Sequence, residues 1–301
     1  MEQKEELKIL RDNLRIFSER TAISEKQREL SLEQWLHSFL TEQPATLSEL
    51  YEQFCEIFPH GDQFNTVARA KFCAHLAKIP AYQKMLSAQT GFRDQEVALS
   101  GSYGKIAMVR NRYNEEAFSV FESFVQGAKA DFFPSFADAC EAVFDNLCEF
   151  CLLPIENTEN GRLFGFYAML DRYELRICAS CSLEHEDSPD TVRYALVGKH
   201  LPKRIPKNAL WNLEYCVFAE AEEFPYDIFQ VAPIFEATPI KIDSLPMPYD
   251  DVAHRIYFTF RIPITMAYAF DLYLLSEHPR YTPIGLYPLS ETMNNTNKEN
   301  L

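Results

Sequence analysis

The spacing of apolar residues changes twice along the chain, and each change marks a different kind of structure. Near the start, Leu7, Leu10, Leu14 and Phe17 recur at steps of 3, 4 and 3 with charged residues between, as on one buried helix face. Ser31 with Gln34, and Thr46 with Glu49, have capping-box spacing and predict a helix or turn at each. A further helix is expected from Phe64 to Lys78, ahead of Pro80. Residues 1–90 therefore read as a small helical domain.

From Glu96 the period shortens. Val97-Ala98-Leu99 reads as a buried strand running through Ser100-Gly101-Ser102 into a helix. Ala117–Phe124 reads as a second strand with its turn, Phe136–Leu147 as a helix, Phe150–Ile155 as a third strand, Leu163–Leu170 as a helix and Leu175–Cys181 as a strand. Strand alternating with helix implies an α/β lobe with a largely parallel sheet over 94–200, closed by the strand Val192–Val197 and a charged, Pro-containing linker. Then comes a compact βαββαβ order, ferredoxin-like, over 205–290: strand Leu213–Ala219, helix Tyr226–Phe235, strands Ile240–Ser244 and Arg255–Ile262, helix Met266–Ser276, strand Tyr281–Tyr287. Residues 291–301 are expected to be a flexible tail. The fold class is thus α+β and α/β, multidomain.

Composition narrows the functional classes. With 47% hydrophobic and 14% aromatic residues the chain can bury substantial cores, and a net charge of −15, from 44 acidic against 29 basic residues, opposes a nucleic-acid footprint. No apolar run reaches the roughly 18 residues of a membrane span. The start, Met-Glu-Gln-Lys-Glu-Glu, does not read as a secretory leader, so a cytoplasmic protein without a membrane partner is expected. Eight cysteines scattered through predicted elements suit a reducing compartment. Cys148/Cys151 and Cys178/Cys181 have Cys-x-x-Cys spacing, which raises a zinc site. Both pairs lie in apolar, strand-like text without a glycine knuckle, so buried free thiols and no metal are expected.

At Cys151-Leu-Leu-Pro-Ile-Glu-Asn-Thr-Glu-Asn-Gly161 the chain resembles the prephenate dehydratases, whose strand ends in Pro-Ile-Glu-Asn-Ser/Thr followed by Gly. Val97-Ala-Leu-Ser-Gly-Ser-Tyr103 is similar to the family's opening strand and turn, and Phe136-Ala137-Asp138 to the element before the signature. Ile240-Lys-Ile-Asp-Ser-Leu-Pro246 and Ile284-Gly-Leu-Tyr-Pro288 resemble two strands of the ACT domain that ends many family members. The helical 1–90 is then similar to the chorismate mutase half of bifunctional P-proteins.

The resemblance implies conversion of prephenate to phenylpyruvate, water and carbon dioxide in phenylalanine biosynthesis, with no cofactor. It implies catalytic roles for Asn157, Thr158, Ser102 and Arg193, the last within Arg193-Tyr194, which matches the Arg-Phe of the family's Thr-Arg-Phe strand. The Thr of that motif is Val192 here, and Thr191 stands one residue away. Arg11 and Arg28, with Gln83, fall where mutase residues bind chorismate; a solvated helix face is the alternative reading of the two arginines. In the ACT part, Leu245 replaces the family's Arg, and Asp243 and Ser244 are the candidates to meet the α-amino group of an L-phenylalanine effector. An ACT fold used only for homodimer packing is the alternative.

The family's second lobe has no counterpart between the strand Leu175–Cys181 and Thr191. Two functional classes therefore stand side by side. One is an enzyme of reduced or altered activity, with residual mutase function as a further reading. The other is a non-catalytic regulatory or scaffolding homologue that dimerises, in which Asn157 caps a turn as asparagines commonly do.

Overall fold

The computed structural model describes residues 23–24, 26–27, 30–37, 40, 46–59, 63–89, 104–123, 125, 127–184, 191–199, 210–220, 227–247 and 250–288. The expected elements around Leu7–Phe17 and Val97–Leu99, and the residues Arg11, Arg28 and Ser102, lie outside them. The chain divides into two compact units, Met1–His75 and Leu76–Leu301.

In the first unit, helix α1 (Leu47–Ile57) starts where the capping box is expected. The Thr46 hydroxyl accepts the Glu49 amide at 3.3 Å, and the Glu49 carboxylate accepts the Thr46 amide at 3.0 Å. The other expected start is a correction. Ser31 is itself helical and its hydroxyl donates to the Gln27 carbonyl at 2.9 Å, a mid-helix back-bond rather than a cap. Helix α2 (Gln63–Lys78) sends Phe72 to stack on Phe54, with ring centres 4.4 Å apart.

The second unit holds helix α3 (Pro80–Gln89) and a ten-stranded sheet. Its elements follow as β1 (Lys105–Val109), α4 (Arg112–Phe121), β2 (Lys129–Phe133), α5 (Phe136–Phe144), β3 (Phe150–Asn157), β4 (Gly161–Arg162), α6 (Phe164–Arg172), β5 (Arg176–Glu184), β6 (Thr191–Gly198), β7 (Leu210–Glu220), α7 (Asp227–Val231) with a 3₁₀ turn to Phe235, β8 (Thr238–Met247), β9 (Asp250–Pro263), α8 (Ile264–Glu277) and β10 (Thr282–Pro288). The strand order is β2-β1-β3-β6-β5-β10-β7-β9-β8, with β4 beside β3.

The expected largely parallel sheet is corrected to a mixed one. Only β1 with β2, β1 with β3, and β5 with β10 run parallel. Six residues, 185–190, separate β5 from β6, too few for a crossover, so the two pair as an antiparallel hairpin. The expected strand Ala117–Phe124 is helix up to Phe121. Asn111 caps its start, accepting the Asn114 amide at 2.8 Å, and Asn114, Ala117 and Phe121 are buried at helical spacing. Strands β1 and β2 were not anticipated by the apolar pattern.

Strand β3 is apolar on both faces because both are covered. Phe150 and Leu152 join Ala117 and Phe121 of α4 on one side; Cys151 and Leu153 join Val143 of α5 and Leu170 of α6 on the other. In the C-terminal half, β7-α7-β8-β9-α8-β10 has the expected βαββαβ order, all antiparallel, with β10-β7-β9-β8 as neighbours. Phe235, Phe260 and Phe270 pack together beneath α8. This half continues the sheet of the preceding half at a single parallel register pair, Gly285 with Ile177. Gly285 is required there: a Cβ would lie 2.7 Å from the Ile177 Cβ.

None of the eight cysteines is in a disulfide, and all but Cys55 are buried. Cys178 and Cys181 share one core face, contrary to simple alternation, because a bulge between Ile177 and Ala179 resets the pleat. Burial pushes both thiols up to about 12. Among the described residues no group of three or more His, Cys, Asp or Glu could hold a metal, and no helix is long and apolar enough to cross a membrane.

Candidate functional site

The signature strand carries a second bulge, between Pro154 and Glu156, in its pairing with β6. Pro154 has no amide to give, and Ile155 is the extra residue. The shift turns Glu156 onto the face of Leu153 and sets it directly opposite Arg193. Arg193 Nη1 lies 3.1 Å from Glu156 Oε2, and Lys241 of β8 donates from Nζ to Glu156 Oε1 at 2.6 Å. One carboxylate is thus held by cations from both halves of the sheet.

Deeper on the same face sits Arg162, from the two-residue β4. Its Nε donates to Asp243 Oδ2 at 2.8 Å, Nη1 to Glu214 Oε2 at 2.9 Å and Nη2 to the Thr259 hydroxyl at 3.1 Å. Tyr167 of α6 donates to Glu214 Oε2 at 3.2 Å, and Tyr287 of β10 donates to Glu214 Oε1. The Arg162 guanidinium also lies 4.5 Å from the centre of the Tyr167 ring. The side chains of Arg162 and Glu214 are 2% and 3% exposed, so this ion pair is sealed from water, whereas Glu156, Arg193, Lys241 and Asp243, at 23–32%, form an open rim.

Electrostatics follows from that geometry. Burial opposes ionisation of Glu214, but Arg162, the tyrosine and arginine hydrogen bonds and nearby Arg193 outweigh it and hold the carboxyl below the usual carboxylate range. Burial likewise works against the charge of Arg162, yet Glu214, Tyr167 and Asp243 keep it firmly protonated. For Arg193 the opposing burial is outweighed by Tyr287, Glu156 and Glu214, and it stays cationic.

The mouth of the β3–β6 ladder carries four sequence-selected residues. Thr158 donates its amide to the Thr191 carbonyl at 3.1 Å and accepts the Thr191 amide on its hydroxyl at 3.2 Å. Asn157 accepts the Asn160 amide on Oδ1 at 2.6 Å, which caps the turn into β4. Arg193 lies on the same ladder, one residue beyond the Asn157–Val192 pair. Gln83 is not part of this group: its amide donates to the Ala77 carbonyl at 2.7 Å, closing the end of α2. Asp243 and Ser244 point to opposite faces of β8, Asp243 to Arg162 and Ser244 to His254 Nδ1 at 3.0 Å, so they do not converge on one amino group.

Nothing local in the sequence marks Arg162, Glu214 or Lys241, since the partners of Arg162 lie 52, 81 and 97 residues away along the chain. Glu156 stands within the signature itself, directly before Asn157.

No protein-family model and no curated protein matches the sequence. Solved structures do. A prephenate dehydratase from Streptococcus mutans superposes with a TM-score of 0.50 at 17% identity, over 61% of this chain and 97% of that one. The fold is prephenate dehydratase-like. A structure described as GqqA, a novel type of quorum-quenching acylase, matches with a TM-score of 0.47 at 17% identity, over 62% of this chain and 96% of its own. A prephenate dehydratase from Arthrobacter aurescens in complex with L-Phe matches with a TM-score of 0.44 at 14% identity, over 62% and 90%.

Proposed function

We propose that the chain is a prephenate dehydratase-like protein of phenylalanine biosynthesis, acting on prephenate to give phenylpyruvate, water and carbon dioxide. The observation that carries this is the β3–β6 ladder. It joins the signature residue Thr158 to Thr191, pairs Asn157 with Val192, and sets Arg193 two positions beyond Thr191 on the same strand. In this reading residues 94–200 are the dehydratase-like lobe, 205–290 an ACT-like domain that pairs two copies, and 1–90 a helical, chorismate mutase-like domain.

Prephenate carries two carboxylates and a ring hydroxyl, and aromatisation of the ring drives loss of the hydroxyl with carbon dioxide. Arg193 suits a substrate carboxylate, being cationic and partly open. The hydroxyls of Thr158 and Thr191 suit the departing oxygen, which needs a hydrogen bond as its C–O bond breaks. Turnover of prephenate, followed as phenylpyruvate with and without phenylalanine, tests the reading; a rate no higher than without protein would sink it.

One observation favours a second reading, a non-catalytic homologue that dimerises: Asn157 Oδ1 is committed to its turn. Absence of turnover together with a dimer in sedimentation would support that alternative.

A further inference from the structure

Lys241 belongs to the βαββαβ half, yet its ammonium reaches the signature strand of the other half. It takes one oxygen of Glu156 at 2.6 Å while Arg193 takes the other at 3.1 Å. Two cations therefore flank a single carboxylate. The neighbouring Asp243 is shared between them and the buried pair: its Oδ2 is 2.8 Å from Arg162 Nε and 3.7 Å from Lys241 Nζ. Arg162 and Glu214 are engaged by their own partners inside the fold. The rim thus pairs its two cations closely with Glu156 and more loosely with Asp243, is 23–32% exposed, and retains donors: of the five N–H groups of Arg193, the contact to Glu156 engages Nη1 alone among the described residues.

We propose that Lys241 and Arg193 together form a binding site for a small organic carboxylate, with Glu156 the resident counter-ion that spaces the two cations. The class of ligand follows from the chemistry: a planar anion can take the remaining Arg193 donors edge-on and the Lys241 ammonium as a point charge. The C-terminal half then contributes a ligand-binding residue directly to the site. This rests on the reading of Arg193 as a substrate-carboxylate ligand and adds Lys241 to it.

The test uses the full chain and phenylpyruvate as the probe, titrated by calorimetry, with its methyl ester as an uncharged control. The expected result is binding of phenylpyruvate in preference to the ester, weakened about tenfold in Lys241→Met and largely restored in Lys241→Arg, with unchanged circular dichroism. Lys241→Gln serves if the Met variant fails to fold. Equal affinity in the wild type and the folded Lys241 variants, or no binding of phenylpyruvate by the wild type, would overturn the proposal. Carboxylate binding through Lys241 without prephenate turnover would uphold it and remove the dehydratase reading. Turnover with an unchanged KM in Lys241→Met would do the reverse.

Discussion

Glu156 and Arg193 face one another across β3 and β6 only because Ile155 bulges out of the ladder. Were Ile155 paired in regular alternation, Glu156 would fall on the opposite face and away from Lys241. Deletion of Ile155 removes the bulge and leaves Glu156 opposite Arg193, so it should lower thermal stability through loss of a fully buried side chain while keeping both ion pairs. Glu156→Gln should cost only about 1 kcal/mol, because the pairs are partly solvent-exposed and screened. Urea unfolding of the two variants side by side checks the contrast.

The buried pair behaves differently. Arg162→Met would strand Glu214 in the core with its tyrosine partners but without its paired cation, and a loss of about 3–5 kcal/mol is expected. A loss below about 1 kcal/mol in urea unfolding would mean that water reaches Glu214.

Stability should also depend on pH through Glu214. Its carboxyl is held below the usual carboxylate range in the folded chain, so the unfolded chain binds more protons wherever the two differ. The contribution is complete above the ordinary carboxylate range and is lost as pH falls through the folded value. The urea midpoint should drop on acidification, and Glu214→Gln should reduce that slope.

Gly285 is the close-contact residue where β5 meets β10. Gly285→Ala places a methyl 2.7 Å from the Ile177 Cβ and 3.1 Å from its carbonyl oxygen, and should destabilise the chain by about 1–3 kcal/mol. Ile177→Ala keeps that Cβ and should not relieve the penalty, whereas Ile177→Gly should relieve part of it in the double variant, which a double-mutant cycle would read.

How much of this was legible in the sequence follows from the range of each interaction. The elements Phe150–Asn157, Thr191–Gly198 and the whole βαββαβ half were read to within a few residues, because apolar period and turn chemistry are local. Helix α4 was misread as a strand: Phe118 and Val120 favour strands, and the decisive signal was the cap Asn111 just upstream. The parallel-sheet expectation failed because alternating strands and helices do not reveal that β6 folds back between β3 and β5. In the site, Asn157, Thr158 and Arg193 were found through a motif. Arg162, Glu214 and Lys241 meet their partners only through strand order and two bulges, one before Glu156 and one before Lys241, which leave no spacing to read.

The most direct test of the functional reading is prephenate turnover by the wild-type chain beside Arg193→Met. Phenylpyruvate formed well above the uncatalysed rate by the wild type, and reduced about tenfold or more in the folded variant, is the expected result. A wild-type rate equal to that of buffer alone would contradict it.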